Sequence, residues 1–140
     1  MSGDPVFLDT NCLVYANDTS SPEKREKART LIRTLISDGS GCISTQVLAE
    51  FWVTATQKLK TPLERSIAIH QITLFSSFTV QTVDHATVLE ALRLQERYRL
   101  SYWDSQIIAS ASFAQCRLLY SEDMQDEAVY DGITIRNPFK

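Results

Sequence analysis

Short apolar, β-rich runs alternate with longer segments of helical period along almost the whole chain, and that alternation admits few folds. Pro5-Val6-Phe7-Leu8 reads as a buried strand that stops at the polar Asp9-Thr10-Asn11, with a short helix following through Leu13-Val14-Tyr15-Ala16. Ser21-Pro22 opens a helix in which Ala28, Leu31, Ile32, Leu35 and Ile36 recur at helical spacing until Gly39. Gly41-Cys42-Ile43-Ser44 is a second strand, and a helix from Thr45 to Lys58 places Val47, Leu48, Phe51, Trp52 and Ala55 on one face. Thr61-Pro62-Leu63-Glu64 has the form of a capping box and predicts a helix to Phe75. Phe78–Val83 alternates as a third strand, and Asp84 caps a helix to Arg99. Ser101 opens a helix containing Ile107, Ile108, Ala111 and Ala114, followed by the strand Arg117–Tyr120, the acidic Ser121-Glu122-Asp123 and a last strand Gly132–Ile135. Strands that alternate with helices in this way imply a parallel sheet covered by helices on both faces.

A chain of 140 residues with 44% apolar composition fits one domain, residues 1–140, large enough to fold without a disulfide or structural metal. Cys12, Cys42 and Cys116 form no CxxC pair and have apolar neighbours, as buried free thiols of a reducing compartment do. No basic stretch followed by an apolar one opens at Met1-Ser2-Gly3-Asp4, and no apolar run approaches the length of a membrane span. A cytoplasmic location with no membrane contact is the expectation. Fourteen Lys and Arg face seventeen Asp and Glu, for a net charge of −3, which excludes a protein that holds nucleic acid by bulk positive charge. His70 and His85 have no spacing that reads as a zinc motif or a triad.

The acids are more informative than their number. In an open parallel sheet the ligand site lies beyond the carboxyl ends of the strands, where strand order reverses. Asp9 ends the first strand and Asp123 follows the fourth, so both stand at that edge, although a turn-forming Asp suits position 9 equally well. Asp104 precedes Ile107, Ile108 and Ala111 by three, four and seven residues, which puts a carboxylate on an apolar helix face; Ser101-x-x-Asp104 is also the shape of a capping box. Glu50 lies at the edge of an apolar stripe, where an exposed helical Glu is common, and Glu122 and Asp126 flank Asp123 as loop acids. Carboxylates gathered at one strand edge repel one another unless a cation sits among them, and a donor set without Cys or His selects Mg²⁺ or Mn²⁺ over zinc. Such a site suits phosphate chemistry.

The ordered set of motifs resembles the PIN-domain nucleases, and within them the VapC-type toxins of toxin–antitoxin pairs. Val6-Phe7-Leu8-Asp9-Thr10-Asn11 is similar to the family's strand-end DTN signature, Ser44–Phe51 to the segment with its helical Glu, and Ser101–Ala109 to the helix with its third acid. Leu119–Gln125 is similar to its last acidic motif and Ile135–Phe139 to its closing strand and tail, so the resemblance runs from Val6 to Phe139. It implies a three-layer α/β/α sandwich with a central parallel sheet of four to five strands, dependence on Mg²⁺ or Mn²⁺, and hydrolysis of RNA. It also implies that Asp9, Glu50, Asp104 and Asp123 bind metal, with Asn11 and Ser121 as supporting polar groups. After Asp123 the sequence departs from many relatives: Gln125-Asp126-Glu127-Ala128 intervenes and the glycine comes only at Gly132. Glu122 and Asp126 therefore stay open as contributors to the fourth acidic position.

A small cognate antitoxin and a homodimer are further implications, with Phe51-Trp52 and Leu63–Phe75 as candidate surfaces. The expected products are a 5′-phosphate and a 3′-hydroxyl, since the two histidines stand away from the proposed edge. RNA contact needs positive charge, and Arg25, Arg29 and Arg33 on one helix, and Arg93 and Arg97 on another, recur every fourth residue, a pattern that also describes a solvated face of ion pairs. Trp103, Tyr15 or Tyr102 can stack on an unpaired base, although Trp103, preceding an apolar helix, is expected mainly to pack. Two other assignments are a PIN nuclease of general RNA processing and a non-catalytic PIN-fold binding module; the four intact acids disfavour the second. A phosphotransferase with a phosphoaspartate fits poorly, because Asn11 stands where a second Asp is wanted.

Overall fold

The computed structural model describes residues 3–140; Met1 and Ser2, part of the N-terminal segment read above, lie outside them. Six strands form one sheet: β1 (Val6–Leu8), β2 (Gly41–Ser44), β3 (Thr79–Gln81), β4 (Leu118–Tyr120), β5 (Val129–Tyr130) and β6 (Ile133–Arg136). Their spatial order is β3-β2-β1-β4-β6-β5. Five strands pair in parallel, and β5 adds an antiparallel edge beside β6. Six α-helices flank the sheet: α1 (Thr10–Tyr15), α2 (Pro22–Asp38), α3 (Thr45–Val53), α4 (Arg65–Leu74), α5 (His85–Tyr98) and α6 (Tyr102–Phe113). The result is the expected α/β/α sandwich, with one hairpin more than the sequence suggests.

β1 is the hinge of the topology. From it the chain moves outward through β2 and β3, then returns to its other side for β4 and β6. Strand order therefore reverses between β1 and β4, which is where a crevice opens beyond the strand ends. Phe7, Leu8, Ile43, Leu119 and Ile135 are fully buried because helices cover the sheet, and each such side chain contributes on the order of 2 kcal/mol through apolar burial. Leu13, Val47, Phe51, Leu94 and Ile108 complete the interior from the helices, with Phe51 meeting the ring of Phe75 edge-on at 5.2 Å. Cys12, Cys42 and Cys116 are buried free thiols.

Local signals in the sequence were followed unevenly. Asp84 caps α5 reciprocally: its Oδ1 accepts from Thr87 N at 3.0 Å, and Thr87 Oγ1 accepts from Asp84 N at 3.3 Å. The capping box expected at Thr61–Glu64 does not form. α4 starts at Arg65, and the Leu63 amide instead donates to Ala55 O at 2.9 Å, holding the segment against the end of the preceding helix. The helix expected from Thr45 to Lys58 is α3 followed by a π-helical turn, Thr54–Lys58, a deformation that proteins often place beside functional sites. Of the expected dimer surface, Phe51 is fully buried and Trp52 lies under the Arg65 guanidinium at 5.1 Å; the apolar residues exposed nearby are Val53, Ile67, Ile69 and Leu74. Among the described residues, no helix is long and apolar enough to cross a membrane.

Candidate active site

Asp9 leaves the end of β1 in an extended conformation and caps α1, so its carboxylate is fixed by the very turn that ends the strand. Its Oδ1 accepts from Thr10 N at 2.7 Å and its Oδ2 from Ser121 Oγ at 2.7 Å. Ser121 follows β4, is fully buried, and its hydroxyl oxygen accepts in turn from the amides of Asp123 (3.2 Å) and Met124 (3.4 Å). One hydroxyl thus sets both the acid after β1 and the turn that carries the acid after β4. Asn11 repeats the coupling from the other side. Its Nδ2 donates to Asp123 Oδ2 at 3.1 Å and its Oδ1 accepts from Glu122 N at 3.2 Å.

Glu50 arrives from α3. Thr10 Oγ1 donates to its Oε2 at 3.4 Å and Gln46 Nε2 to its Oε1 at 2.6 Å. The Gln46 amide is itself placed by Gln106, whose Nε2 donates to Gln46 Oε1 at 2.9 Å, and Gln106 Oε1 accepts from Tyr102 OH at 2.7 Å. A chain of amides therefore runs from α6 to the carboxylate on α3. Asp104 sits in the first turn of α6, where its amide donates to Ser101 Oγ at 3.1 Å while the carboxylate stays half-buried.

The electrostatics tie the four acids together. Burial pushes the Asp9 carboxyl from 3.8 up to about 6 against the bonds from Ser121 and Thr10, and the charges of Asp123 and Glu50 push the same way. Burial also raises Asp104, opposed by Ser101 and reinforced by Asp123. Asp123 thus acts on acids at the ends of β1 and the start of α6. A cleft of about 260 Å³ opens between Glu50, Asp123, Asn11, Thr10 and Tyr15.

The two open acids have other partners. Tyr15 OH donates to Glu122 Oε1 at 2.5 Å and Lys24 Nζ lies 2.6 Å from Oε2. Burial alone would raise Glu122, and these two bonds outweigh it, holding its carboxyl below the usual range. Asp126 accepts from Asn137 N at 2.7 Å and pairs with Lys140 at 3.1 Å, which pins the C-terminal tail.

Arg93 and Arg97, read from the sequence as either RNA contacts or a face of ion pairs, form ion pairs in the structure. Arg93 pairs with Glu90 and Asp131, Arg97 Nε lies 3.7 Å from Asp131, and Tyr98 OH donates to the same carboxylate at 2.6 Å. The pairs fasten the β5–β6 turn to α5. Arg29 donates to Ala16 O at 2.8 Å. Trp103 departs from expectation in the other direction: its side chain does not pack inside but is 63% exposed. Three residues not foreseen from the sequence support the site: Gln46, Gln106 and Lys24. Gln46 and Gln106 are nearly buried amides on helix faces otherwise filled with apolar residues, and that polar residue in an apolar row was the available signal.

The side chains around the cleft offer carboxylate, hydroxyl and amide groups and neither His nor Cys, a set that fits a hard cation such as Mg²⁺ or Mn²⁺. Among the described residues, no three acidic, His or Cys side chains are drawn about one point as a finished ligand set. Burial is the main force that raises Asp9, and the smaller repulsion from Asp123 and Glu50 is the part a cation relieves.

The PIN domain family model matches residues 6–130. No curated protein matches the sequence. Among solved structures, a toxin–antitoxin complex from Klebsiella pneumoniae is similar over 95% of this chain and 97% of its own, at 19% identity and TM-score 0.69. VapC20 of Mycobacterium tuberculosis, a toxin that cleaves the sarcin-ricin loop, is similar over 84% and 91%, at 17% identity and TM-score 0.67. DNA-bound VapBC from Salmonella typhimurium is similar over 97% and 99%, at 18% identity and TM-score 0.67.

Proposed function

This chain belongs to the PIN domain family, and on that premise we propose that residues 1–140 act as one unit, a Mg²⁺- or Mn²⁺-dependent endoribonuclease that serves as the toxin of a toxin–antitoxin pair. The observation that carries the reading is that the turns after β1 and β4, at the point where strand order reverses, link Asp9 through Ser121, Asp123 through Asn11 and Glu50 through Thr10 into one hydrogen-bonded network, with Asp104 raised in part by the charge of Asp123. Asp9, Glu50, Asp104 and Asp123 would hold the cation. When bound, it supplies the Lewis acidity that lowers the pKa of water and offsets phosphate charge.

The chain's own residues do the rest. Ser121 and the Thr10 amide fix both oxygens of Asp9, Asn11 orients Asp123, and the Gln106–Gln46 amides orient Glu50. Oriented donors of this kind spare the site reorganisation when charge builds on the phosphate. Neither histidine belongs to the cluster, so the reading excludes a mechanism with a His acid and base and predicts 5′-phosphate and 3′-hydroxyl ends.

The similar structures from K. pneumoniae and S. typhimurium are toxin–antitoxin complexes, which supports a small antitoxin as partner here. A homodimer through the exposed Val53, Ile67, Ile69 and Leu74 belongs to the same proposal, as does a cytoplasmic site of action. The test is a panel of tRNA, rRNA and mRNA with Mg²⁺ or Mn²⁺, comparing wild type with Asp9→Asn and Asp104→Asn. Cleavage by wild type alone, abolished by EDTA and leaving 5′-phosphates, is expected. Equal cleavage by all three proteins, full activity in EDTA or cyclic phosphate ends would overturn the reading.

A further inference from the structure

A groove of opposite character lies beside the acidic cleft. It measures about 610 Å³, is walled by Ala49, Val83 and Trp103, and has Glu50 in common with the cleft. Trp103 immediately precedes Asp104 in α6, and its exposed indole lines the same groove as Glu50. The main-chain carbonyl of Trp103 accepts from Gln46 Nε2 at 3.4 Å, and the indole itself is met edge-on by the Tyr102 ring at 5.1 Å. An indole held this way offers a broad π face to whatever enters the groove.

The polar groups around it are largely committed. Gln46 and Gln106 bond each other, Glu50 and Tyr102, and Thr45 Oγ1 accepts from Val83 N at 3.1 Å while keeping its own proton to donate. A peptide strand seeks free main-chain or amide partners along its length, which this groove scarcely offers; a flat ring needs little beyond a face and one donor. The nearby basic groups are already engaged: Arg93 and Arg97 pair with Asp131, Lys24 pairs with Glu122, and the chain carries −3 overall. A strand of RNA then needs a grip that does not depend on charge, and stacking is sequence-tolerant and strong.

We propose that this groove seats one unpaired nucleobase, stacked on Trp103, of the strand whose phosphate lies at the acids. The seat rests on the nuclease reading for its place beside the scissile bond. It selects single-stranded or looped RNA, because a paired base is already stacked inside its helix.

The experiment uses the full chain with Trp52→Phe, so that fluorescence reports Trp103 alone, in Mg²⁺. Single-stranded RNA homo-oligomers of each base are expected to quench it saturably, whereas a duplex and heparin are not. On a cleaved RNA, Trp103→Ala is expected to raise KM on the order of tenfold or more with kcat within about threefold, and Trp103→Phe to restore most of the loss. An abasic residue at one position of the substrate is expected to erase the difference between wild type and Trp103→Ala. Absence of quenching by all four oligomers, equal quenching by the duplex, or unchanged KM in Trp103→Ala overturns the seat. Quenching without cleavage of any RNA sinks the nuclease reading and leaves the seat standing; cleavage indifferent to Trp103 does the reverse.

Discussion

Ser121 Oγ donates a 2.7 Å hydrogen bond to Asp9 Oδ2 across 112 residues of sequence, joining the ends of two neighbouring strands through one buried hydroxyl. The carboxylate it holds is raised to about 6 by burial, so keeping it ionised at neutral pH costs the metal-free fold about 3 kcal/mol. An acid raised in the fold costs nothing below its unfolded value near 3.8, progressively more up to about 6, and the full amount above. Asn at this position keeps an acceptor for the Thr10 amide and turns a donor toward Ser121. Asp9→Asn is therefore expected to be more stable than wild type by roughly 1–3 kcal/mol at pH 8 in EDTA, to show no gain at pH 4, and to lose cleavage. Urea unfolding at the two pH values checks it, and equal stability at both counts against the burial of a charge at position 9.

Asn11 acts through Asp123 and the Glu122 amide. Outer groups that orient metal ligands are commonly worth 10–100-fold in metal affinity. Asn11→Ala is expected to shift the Mn²⁺ concentration for half-maximal cleavage upward by about tenfold or more while saturating metal recovers much of the rate. A rate that falls without any change in metal dependence would remove Asn11 from this role.

Glu122 and Asp123 are adjacent but engaged differently. Lys24 offsets the charge of Glu122 and Tyr15 donates to it, whereas the charge of Asp123 adds to the burial that raises Asp9 and Asp104. Glu122→Gln is expected to cleave RNA within about threefold of wild type, and Asp123→Asn to lose on the order of a hundredfold or more. The reverse order of losses, measured as kcat/KM, would move the fourth role to Glu122.

Gly41 opens β2 where the Phe78 ring and Leu35 press against its backbone, so a methyl group there collides with the ring. Phe78 is itself buried and has little room to yield. Gly41→Ala is expected to lower stability by about 1–3 kcal/mol with the metal dependence of cleavage unchanged, as thermal melts and activity assays would show.

The parallel sheet was legible because buried strands such as Val6–Leu8 are continuous apolar runs between helical segments. Asp9 and Asp123 were legible because strand ends define the ligand edge. β5 was missed even though Tyr130-Asp131-Gly132-Ile133 carries a two-residue Asp-Gly turn, with φ of 50° and 82° at its centre; its two-residue strand is too short to show alternation. Thr61-Pro62 misled because Leu63 finds a tertiary partner at Ala55 that a local pattern does not reveal. The amide chain through Gln46 and Gln106 joins α3 to α6 across 60 residues, and its pairing depends on how those helices are docked. The arginines of α5 were visible, but Asp131, the partner that occupies them, lies 38 residues downstream in the unseen hairpin.

The first and last acids are consecutive in space and far apart in time. At ribosomal rates the 112 residues between Asp9 and Ser121 take on the order of ten seconds to make, and β1 has no β4 beside it until they exist. A polypeptide of this topology is therefore assembled with its acidic centre open, and the centre closes only once the chain has been made through β4 and Ser121. For the ribonuclease proposed above, synthesis would precede activity by that interval.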